Sequence, residues 1–451
     1  MDKFFEYIKN QNLSLEDEKL ADKLDQLDQL SSIKEEFYFP ITKDIATDLS
    51  RVKDEDLDKP VIYLTGNSLG LQPKEIEKQL VCNYLNDWRK YGVEGHHKGD
   101  HPFIHIDEEI QASLSKIVGA LPSEVCPMNS LSTNIHVLLS NFYKPTQTRH
   151  KIIIEYGAFP SDLYVTESQI RHNSFNPETS LIKIKPRDGE YTLRTDDIIN
   201  VLKEHGDSVA VVMLSGIQYF TGQFFDMKKI TEVGHEIGAI VGWDLAHAAG
   251  NVELSLHDWN VDFACWCTYK YLNSGPGCIA GIFVHSKHTE SFNLSTDSRL
   301  LGWFGNKLSN RFQKEKEFVA EDGALGFRMS NPSVADCTAL RASLSVFEKA
   351  GGIKKLAEKS TIITGYLEYL LTHKLKTTDV QIITPSEANQ RGSQLSLLIK
   401  GIKASQLKVN LSNSGIVCDV RDPDVIRVAP APLYTSFNDV KYFIQKLNEN
   451  M

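Results

Sequence analysis

The sequence predicts an α/β protein whose larger domain contains a mostly parallel β-sheet. Short runs rich in β-branched and apolar residues occur at 151–155, 181–185, 209–214, 239–244, 262–267 and 278–284. Several of these runs are continuously apolar, as is typical of strands that are buried on both faces. Most are separated by enough residues for a crossover helix, which parallel strands require. Ligands of such sheets bind at the carboxyl ends of the strands.

The chain has 451 residues, more than one ordinary core supports, so at least two domains are expected. Residues 61–332 hold the strand runs and are predicted to form the large domain. Residues 333–451 contain a long helical stretch with a glycine break and then four strand-like runs, which indicates a smaller α+β domain.

Residues 1–60 are predicted to be a helical segment that packs with the small domain. Ser14 and Asp17 have the spacing of a capping box, which would start a helix here. The apolar residues that follow recur at intervals of three and four, and they are Leu20, Leu24, Leu27, Leu30 and Ile33. This spacing places them on one helix face.

The charge balance argues against two classes of partner. The chain carries 49 Lys plus Arg against 59 Asp plus Glu, a net charge of −10. An acidic surface repels phosphate backbones and anionic lipid, so neither nucleic acid nor a membrane is an expected partner. The N-terminus lacks the apolar stretch of a signal peptide, and the seven cysteines are scattered and odd in number. Together these features predict a cytoplasmic protein with reduced thiols.

Two groups of residues have the chemistry of metal ligands, but neither is predicted to bind a metal. Cys265 and Cys267 would share a strand face, but no second pair has ligand spacing, so buried core thiols are favoured over a metal pair. His97, His101 and His105 are four residues apart, but the stretch contains Gly99 and Pro102, which interrupt a helix. We therefore predict no zinc site.

A lysine, an acid and a histidine lie where two neighbouring strands are predicted to end. Asp244 ends the run 239–244 and His247 follows it, while Lys270 comes just after the run 262–267. Pyridoxal phosphate needs a lysine for its Schiff base, an acid that keeps its pyridine nitrogen protonated, and donors for its phosphate. The alternatives are a helix-capping Asp244 and a solvated loop Lys270, and spacing alone leaves them open.

Ordered blocks along the chain resemble the kynureninase family. They are TGNSLGLQP (65–73), AFPSD (158–162), YFTGQ (219–223), WDLAHAAG (243–250) with CTYKYLNSGPG (267–277), GWFG (302–305), FRMSNP (327–332) and IRVAPAPLY (426–434). The resemblance implies a pyridoxal-phosphate enzyme of the aspartate-aminotransferase type, fold type I. It also implies a homodimer with active sites shared between the subunits.

The family likeness assigns roles residue by residue. Lys270 matches the Schiff-base lysine, and Asp244 matches the acid at the pyridine nitrogen; with Tyr269 they form the implied catalytic set. The implied cofactor contacts are Leu131, Ser132, Phe159, Pro160, Ser161, Asp162, Ser215, Asp244, His247, Tyr269, Lys270, Trp303 and Asn331. Trp303 and Asn331 match residues that come from the partner subunit. On chemistry alone Phe159 could be a core residue and Asp162 a helix cap.

The resemblance also implies the substrate contacts. Arg427 matches the arginine that binds the α-carboxylate of the substrate, with a surface arginine on a strand as the alternative. His96 and Asn331 match residues that accompany a preference for 3-hydroxykynurenine over kynurenine in the family.

The implied activity is hydrolysis of the bond between Cβ and Cγ of kynurenine or 3-hydroxykynurenine. The products are anthranilate or 3-hydroxyanthranilate and alanine, which places the activity in tryptophan catabolism and NAD biosynthesis. Two alternatives stay open: an aminotransferase or cysteine desulfurase of the same fold, and a catalytically silent homologue. Release of anthranilate would distinguish them, because neither alternative produces it.

Overall fold

The structure is a computed structural model that describes residues 1–290, 293, 297–314 and 317–451. These residues cluster into two compact units. The larger unit comprises residues 76–219 and 225–344, and the smaller comprises residues 1–75, 220–224 and 345–451. The units thus divide the chain differently from the sequence-based boundaries, because residues 61–75 cluster with the smaller unit and residues 333–344 with the larger.

The helices and strands have the following bounds. The α-helices are α1 (Asp2–Asn10), α2 (Leu20–Leu27), α3 (Thr42–Ile45), α4 (Lys74–Gln79), α5 (Asn86–Tyr91), α6 (Gln111–Val118), α7 (Leu131–Phe142), α8 (Pro160–His172), α9 (Pro177–Ser180), α10 (Thr195–His205), α11 (Met227–Glu236), α12 (Leu308–Arg311), α13 (Val334–Lys349), α14 (Ile353–His373), α15 (Ala404–Ser412) and α16 (Phe437–Asn450). The strands are β1 (Ile62–Tyr63), β2 (Val125–Pro127), β3 (Lys151–Glu155), β4 (Leu181–Ile184), β5 (Val209–Ser215), β6 (Ile240–Asp244), β7 (Phe263–Trp266), β8 (Gly281–Val284), β9 (Val380–Ile382), β10 (Leu395–Ile399), β11 (Ile416–Val417), β12 (Asp419–Arg421) and β13 (Val425–Val428). A π-helical turn, Leu80–Leu85, joins α4 to α5.

The larger unit is built on a seven-stranded sheet in the order β2-β8-β7-β6-β5-β3-β4. Strands β4, β3, β5, β6 and β7 pair in parallel, whereas β8 is antiparallel to both of its neighbours. This confirms the predicted α/β class with a mostly parallel sheet. Each predicted run contains one strand, but the antiparallel β2 was not predicted, since three residues give too short a pattern to detect.

Parallel pairing aligns the carboxyl ends of three neighbouring strands. Glu155, Ser215 and Asp244 are the last residues of β3, β5 and β6, and Ser215 is paired directly with Asp244 in the register. The residues that precede these ends, such as residues 152–154, are apolar and buried, so polar side chains face the cavity only at the carboxyl end of each strand. This edge of the sheet therefore collects groups that can carry chemistry.

Tight packing in the sheet requires a glycine in β6. A Cβ atom on Gly242 would lie 2.1 Å from Cζ of Phe263 on the neighbouring strand β7. Phe263 in turn stacks on Phe142 of α7, with their ring centroids 4.9 Å apart. Gly242 thus lets the Phe263 ring lie against the sheet and fixes how α7 packs on it.

The smaller unit combines a four-stranded antiparallel sheet, ordered β12-β13-β10-β9, with helices. A two-residue parallel pair joins β1 to β11. Helix α1 packs on α14, where a Cβ atom on Gly365 would lie 2.6 Å from Cβ of Phe4. Close approach of the two helices thus depends on a residue without a side chain.

The predicted start of the N-terminal helix is wrong. Helix α2 begins at Leu20, and its N-cap residue Lys19 makes no side-chain capping bond. Ser14 Oγ instead accepts a hydrogen bond from the backbone N–H of Glu16, in a turn that precedes the helix. The helix also ends at Leu27, because Asp28 adopts an extended conformation. Ser14 therefore serves a local turn, the usual competitor of helix capping for serine.

None of the helices in the described ranges has the length and apolar character needed to cross a membrane.

Candidate active site

A cavity of about 200 Å³ lies in the larger unit at the carboxyl ends of the parallel strands. Residues that follow β3, β5, β6 and β7 form its wall together with the start of α7. The lining residues are Ser130, Leu131, Ser132, Phe159, Ser161, Asp162, Ser215, Ile217, Tyr219, Asp244, Ala246, His247, Cys267, Tyr269, Lys270, Gly277 and Cys278. Most of the residues predicted to contact a cofactor are thus brought together in one place.

Lys270 is held at this cavity by contacts with two other lining residues. Its Nζ lies 3.1 Å from Nε2 of His247 and 5.7 Å from the centre of the Phe159 ring. The backbone carbonyl of Lys270 accepts a hydrogen bond from the N–H of Asn273, which closes a turn after β7. Lys270 is therefore half-buried and directed into the cavity, unlike the solvated loop lysine that spacing alone left open.

Two buried carboxyl groups lie together beside this lysine. Asp162 and Asp244 are each about 5% exposed, and they share a hydrogen bond. Burial, followed by the charge of Asp244, raises the pKa of Asp162 well above its ordinary value. Burial also raises the pKa of Asp244, opposed by the bond from Asp162, the N–H of Ala246 and the charge of Lys270. We conclude that Asp162 keeps its proton and donates it to an ionised Asp244.

Asp162 is not a helix cap, although it lies in the first turn of α8. The N-cap residue of α8 is Phe159, and the carboxyl group of Asp162 is directed to Asp244 and to the hydroxyl of Ser161. Asp244 does accept the backbone N–H of Ala246 at 2.7 Å. That bond closes a turn after β6 and fixes the carboxylate at the cavity, and since no helix lies in the described residues between β6 and β7, Asp244 is not a helix cap.

Aromatic rings and His247 form the sides of the cavity. Phe159 is 41% exposed, which excludes the core role that chemistry alone allowed. Its ring meets that of Tyr219 edge to face, with centroids 5.2 Å apart. One face of Phe159 therefore remains available to a flat ligand beside Lys270.

One end of the cavity is suited to a phosphate group. Helix α7 begins here, with Ser130 as its N-cap residue and Leu131 and Ser132 in its first turn. The N–H groups and the dipole of a helix N-terminus attract anions, and the hydroxyl of Ser132 adds a donor. Across the cavity, Gly277 has a φ of +70°, a conformation that favours glycine and allows close approach of the backbone.

Tyr269 and two cysteines also line the cavity as protonated groups. Burial raises the pKa of the Tyr269 phenol far above its ordinary value, and its hydroxyl is hydrogen-bonded to Cys267. Burial likewise raises the pKa of the Cys267 thiol, and that of Cys278 to about 11. At neutral pH, Tyr269 therefore keeps its phenolic proton and can donate a hydrogen bond, while the two thiols are not ionised and make poor nucleophiles.

Four of the predicted site residues in the larger unit do not line this cavity. Pro160 is the first residue of α8 and is exposed. Trp303 is 54% exposed, and its Nε1 donates to the carbonyl of Arg311. Asn331 is exposed beside a second cavity, and His96 packs edge to face against Phe103. These residues lie in the larger unit without contributing to the Lys270 cavity of their own chain.

Arg427 belongs to the smaller unit, where it lies in the middle of an antiparallel sheet. On β13 it is paired in register with Ser396 of β10 and Asp419 of β12. Its side chain is 1% exposed, so the surface alternative is excluded. The guanidinium forms an ion pair with Asp419 and donates to Oγ of Ser68 at 2.8 Å. Burial opposes ionisation of Asp419, but Arg427 outweighs it and lowers the pKa of that carboxyl group.

The histidines considered as metal ligands do not converge in the structure. His101 and His105 are bonded separately to Glu109 and Glu108, at 2.7 and 2.8 Å. A different group, Glu124 with His257 and His285, does bring three ligand-type side chains together among the described residues.

The geometry of that second group is unsuited to one metal ion. The His257 and His285 rings stack with only 18° between their planes and 4.9 Å between their centres. A metal ion must lie in the plane of each ring that binds it, and stacked planes do not meet near the rings. Glu124 instead accepts from Nδ1 of His257 and from two backbone N–H groups, a structural role.

Several residues at the site were missed by sequence reasoning although signals were available. Tyr219 and Gly277 fall inside blocks that carry the family likeness. The predicted strand included Cys267, which favoured the interpretation as a core thiol. In the structure β7 ends at Trp266, so Cys267 is the first residue after the strand. Glu155 ends β3, and the rule that drew attention to Asp244 applies equally to it.

The donor set fits pyridoxal phosphate. A lysine amine, an ionised carboxylate backed by a protonated one, an open aromatic face and a helix N-terminus lie around one cavity. Each matches one part of the cofactor: the carbonyl carbon, the pyridine nitrogen, the ring face and the phosphate.

Known proteins resemble this chain over nearly its whole length. A family model described as the kynureninase C-terminal domain matches residues 356–447. Curated kynureninases are 49% identical in Mus musculus (96% of this chain, 92% of the mouse protein) and 47% identical in Nematostella vectensis (97% and 94%). The human kynureninase is 46% identical, covering 96% of this chain and 92% of the human protein.

Solved structures show the same fold at low sequence identity. A mutant of C-DES with glycine covalently linked to its PLP cofactor has a TM-score of 0.73 at 14% identity, covering 87% of this chain and 97% of that one. A cysteine desulfurase from Escherichia coli has a TM-score of 0.71 at 14% identity, covering 94% and 98%. At this identity the likeness concerns the fold alone.

Proposed function

Because the chain belongs to the kynureninase family, we propose that the cavity around Lys270 is the active site of a kynurenine-cleaving enzyme. The enzyme is a pyridoxal-phosphate-dependent hydrolase of a carbon–carbon bond. It converts kynurenine and 3-hydroxykynurenine, with one water molecule, to anthranilate or 3-hydroxyanthranilate and alanine, a step of tryptophan catabolism. The observation that carries the site assignment is the meeting of Lys270, Asp244 and Asp162 at one cavity.

The roles of the side chains follow from their positions. Bound pyridoxal phosphate supplies an electrophilic carbon for the substrate amine and an electron-withdrawing ring. Asp244, with Asp162 behind it, holds a proton on the pyridine nitrogen, and Phe159 covers one ring face. The start of α7 and Ser132 bind the phosphate. His247 and Ser215 complete the cofactor contacts.

Lys270 and Tyr269 move protons. Nζ of Lys270 removes the proton from Cα of the substrate, because a lysine at the carbon that binds the substrate amine is also within reach of Cα. Water adds to the γ-carbonyl, the bond between Cβ and Cγ breaks, and the aromatic acid leaves. Cβ then receives a proton to give alanine. Tyr269, which keeps its phenolic proton at neutral pH, is a donor for this step or for the phosphate.

The thiols argue against a desulfurase. Such an enzyme needs a nucleophilic cysteine thiolate at its substrate. The cavity thiols Cys267 and Cys278 are buried and have raised pKa values, so they are poor nucleophiles. Cys82 is exposed, but it lies on the π-helical turn Leu80–Leu85 and does not line the cavity. This favours the hydrolase over a sulfur-transferring relative of the same fold.

The test of the function is an assay of the purified, cofactor-loaded enzyme on both substrates. We expect anthranilate from kynurenine and 3-hydroxyanthranilate from 3-hydroxykynurenine, each with one equivalent of alanine. Formation of an α-keto acid instead would identify an aminotransferase. Absence of all products from an enzyme that holds cofactor would identify a silent homologue.

We propose that Arg427 binds the α-carboxylate of the substrate. It is buried and pairs with Asp419, and its planar set of donors can also bind a second carboxylate in a geometry that lysine lacks. We expect Arg427→Ala to raise KM for kynurenine about 100-fold, since it removes a charge-assisted double hydrogen bond. Steady-state kinetics on both substrates measure this.

Arg421→Ala is the matched control, because Arg421 also pairs with Asp419 but is 35% exposed. It should leave KM within about twofold. If Arg427→Ala retained the KM of the unchanged enzyme, Arg427 would have no role in substrate binding.

We also propose that the enzyme is a homodimer. Val81, Leu85 and Trp88 are 46%, 44% and 58% exposed, and their spacing places them on one face of the helical segment from α4 to α5. Trp303 and Phe312 add a second exposed aromatic pair. Exposed apolar side chains grouped in this way are typical of subunit interfaces. The positions of Trp303 and Asn331 away from the Lys270 cavity support a role toward the partner subunit.

Trp88→Asp is expected to convert the dimer to monomers, because it introduces a charge into an apolar interface. Size-exclusion chromatography with light scattering measures the mass directly. Leu49→Asp, at a position 53% exposed in the smaller unit, is the control and should stay dimeric. A monomeric mass for the unchanged enzyme at micromolar concentration would contradict the proposal.

A further inference from the structure

Glu155 is a buried carboxylate beside the active-site cavity that the mechanism above does not use. It is 2% exposed and ends β3, one strand away from β5, which ends at Ser215. Glu155 does not line the cavity, whereas Ser215 does. Any effect of Glu155 on a bound cofactor must therefore pass through a neighbour.

The neighbour is Ser215. Its hydroxyl donates a hydrogen bond of 2.5 Å to Oε1 of Glu155, and its backbone N–H approaches Oε2 at 3.4 Å. Both carboxylate oxygens are thus directed to the same residue. By contrast Glu124, which is also buried in the larger unit, accepts two backbone N–H groups and a histidine, and none of these partners lines the cavity.

The direction of this bond constrains Ser215. A serine hydroxyl has one proton to donate and two lone pairs. Because the proton is used on Glu155, the lone pairs are what Ser215 offers to the cavity. Without Glu155 the hydroxyl could rotate and present its proton instead, which would change both its position and its chemical character.

We propose that Glu155 is a positioning residue that fixes the orientation of the Ser215 hydroxyl at the cavity wall, where Ser215 would contact the bound cofactor. This rests on the proposed function, in which Ser215 contacts pyridoxal phosphate. The short bond, the burial of Glu155 and the place of Ser215 on the cavity wall carry the inference. Burial raises the pKa of Glu155, and hydrogen bonds from the Ser215 hydroxyl and from backbone N–H groups oppose that shift.

A double-mutant cycle in the cofactor-loaded enzyme tests the proposal. Glu155→Met fills a similar volume without an acceptor, Glu155→Gln keeps an acceptor oxygen, and Ser215→Ala removes the hydroxyl. We measure the dissociation constant of pyridoxal phosphate, the visible absorbance of the lysine-bound cofactor as a function of pH, and the melting temperature. Glu124→Gln is the matched control for loss of a buried carboxylate.

We expect Glu155→Met and Ser215→Ala each to weaken cofactor binding about tenfold, the size of one hydrogen bond. The double variant should bind the cofactor less than about twofold more weakly than Ser215→Ala alone, because both substitutions act through one hydroxyl. Glu155→Gln should recover most of the affinity and the absorbance profile. Glu124→Gln should lower the melting temperature without changing either cofactor measurement.

Three results would overturn the proposal. The first is that the losses of cofactor affinity in Glu155→Met and Ser215→Ala multiply in the double variant. The second is that Glu155→Met leaves both the affinity and the absorbance unchanged. The third is that Glu155→Gln loses as much cofactor affinity as Glu155→Met. Failure of the unchanged enzyme to bind pyridoxal phosphate at all is a separate outcome, which would refute the proposed function itself.

Discussion

Replacing Lys270 by alanine is expected to abolish cleavage of both kynurenines, with kcat lowered by at least about 10⁴-fold. In the proposed mechanism the same amine anchors the cofactor and removes the proton from Cα, so its loss removes two contributions at once. Its Nζ is within 3.1 Å of His247, and no other lysine lines the cavity in the described part of the chain. Product formation measured over hours, together with loss of the visible absorbance of lysine-bound cofactor, gives the result.

The control for Lys270→Ala is Lys229→Ala, which removes an exposed lysine of α11 whose Nζ lies 3.5 Å from Glu232. It should retain full activity. A small primary amine added to Lys270→Ala should restore part of the turnover, because it replaces the missing base without repairing any other defect. Activity of Lys270→Ala within tenfold of the unchanged enzyme would refute the assignment of this lysine.

Replacing Asp244 by asparagine is expected to lower kcat by about 10³-fold, the cost of losing one fixed charge at a reacting centre. Asparagine occupies the same volume and can still accept from the N–H of Ala246. It cannot hold a proton on the pyridine nitrogen, so the cofactor loses most of its capacity to withdraw electrons. Single-turnover kinetics isolate this loss, since they separate the chemical step from product release.

The matched control for Asp244→Asn is Asp226→Asn. Asp226 caps α11 by accepting the N–H of Lys229, and asparagine caps helices equally well. This variant should keep its activity and stability. An unchanged kcat in Asp244→Asn would contradict this role, because the pyridine nitrogen would then have to be protonated by another group.

The sequence predicted the parts of the site that depend on strand ends. A buried parallel strand is visible as an apolar run, and the polar residue that follows it must lie at the sheet edge, as Asp244 and Lys270 do. Their identification with a cofactor needed the ordered family blocks, because one acid and one lysine are common in loops.

Other features lay beyond the sequence because they depend on contacts between distant segments. The hydrogen bond between Asp162 and Asp244 requires the start of α8 and the end of β6, which are distant along the chain, to bring two carboxyl groups together where both are buried. Arg427 is buried because β10 and β12 pair with β13 on either side of it. The neighbouring residues Ile426 and Val428 do not show this, since an apolar–polar–apolar pattern also fits a strand with one exposed face.

The pair formed by Asp162 and Asp244 has a consequence for the enzyme before it acquires its cofactor. A carboxyl group whose pKa is raised by folding stabilises the fold below its unfolded pKa, and that stabilisation is lost as pH rises through the folded value. Asp162 is such a group, and with Asp244 and Glu155 it leaves the core of the larger unit anionic in alkaline solution. In the proposed site, the pyridinium nitrogen of the cofactor would bring one positive charge, which offsets part of this negative charge. Thermodynamically, the cofactor is thus a counter-ion of the folded core as well as a reagent, and its uptake is linked to the integrity of the larger unit.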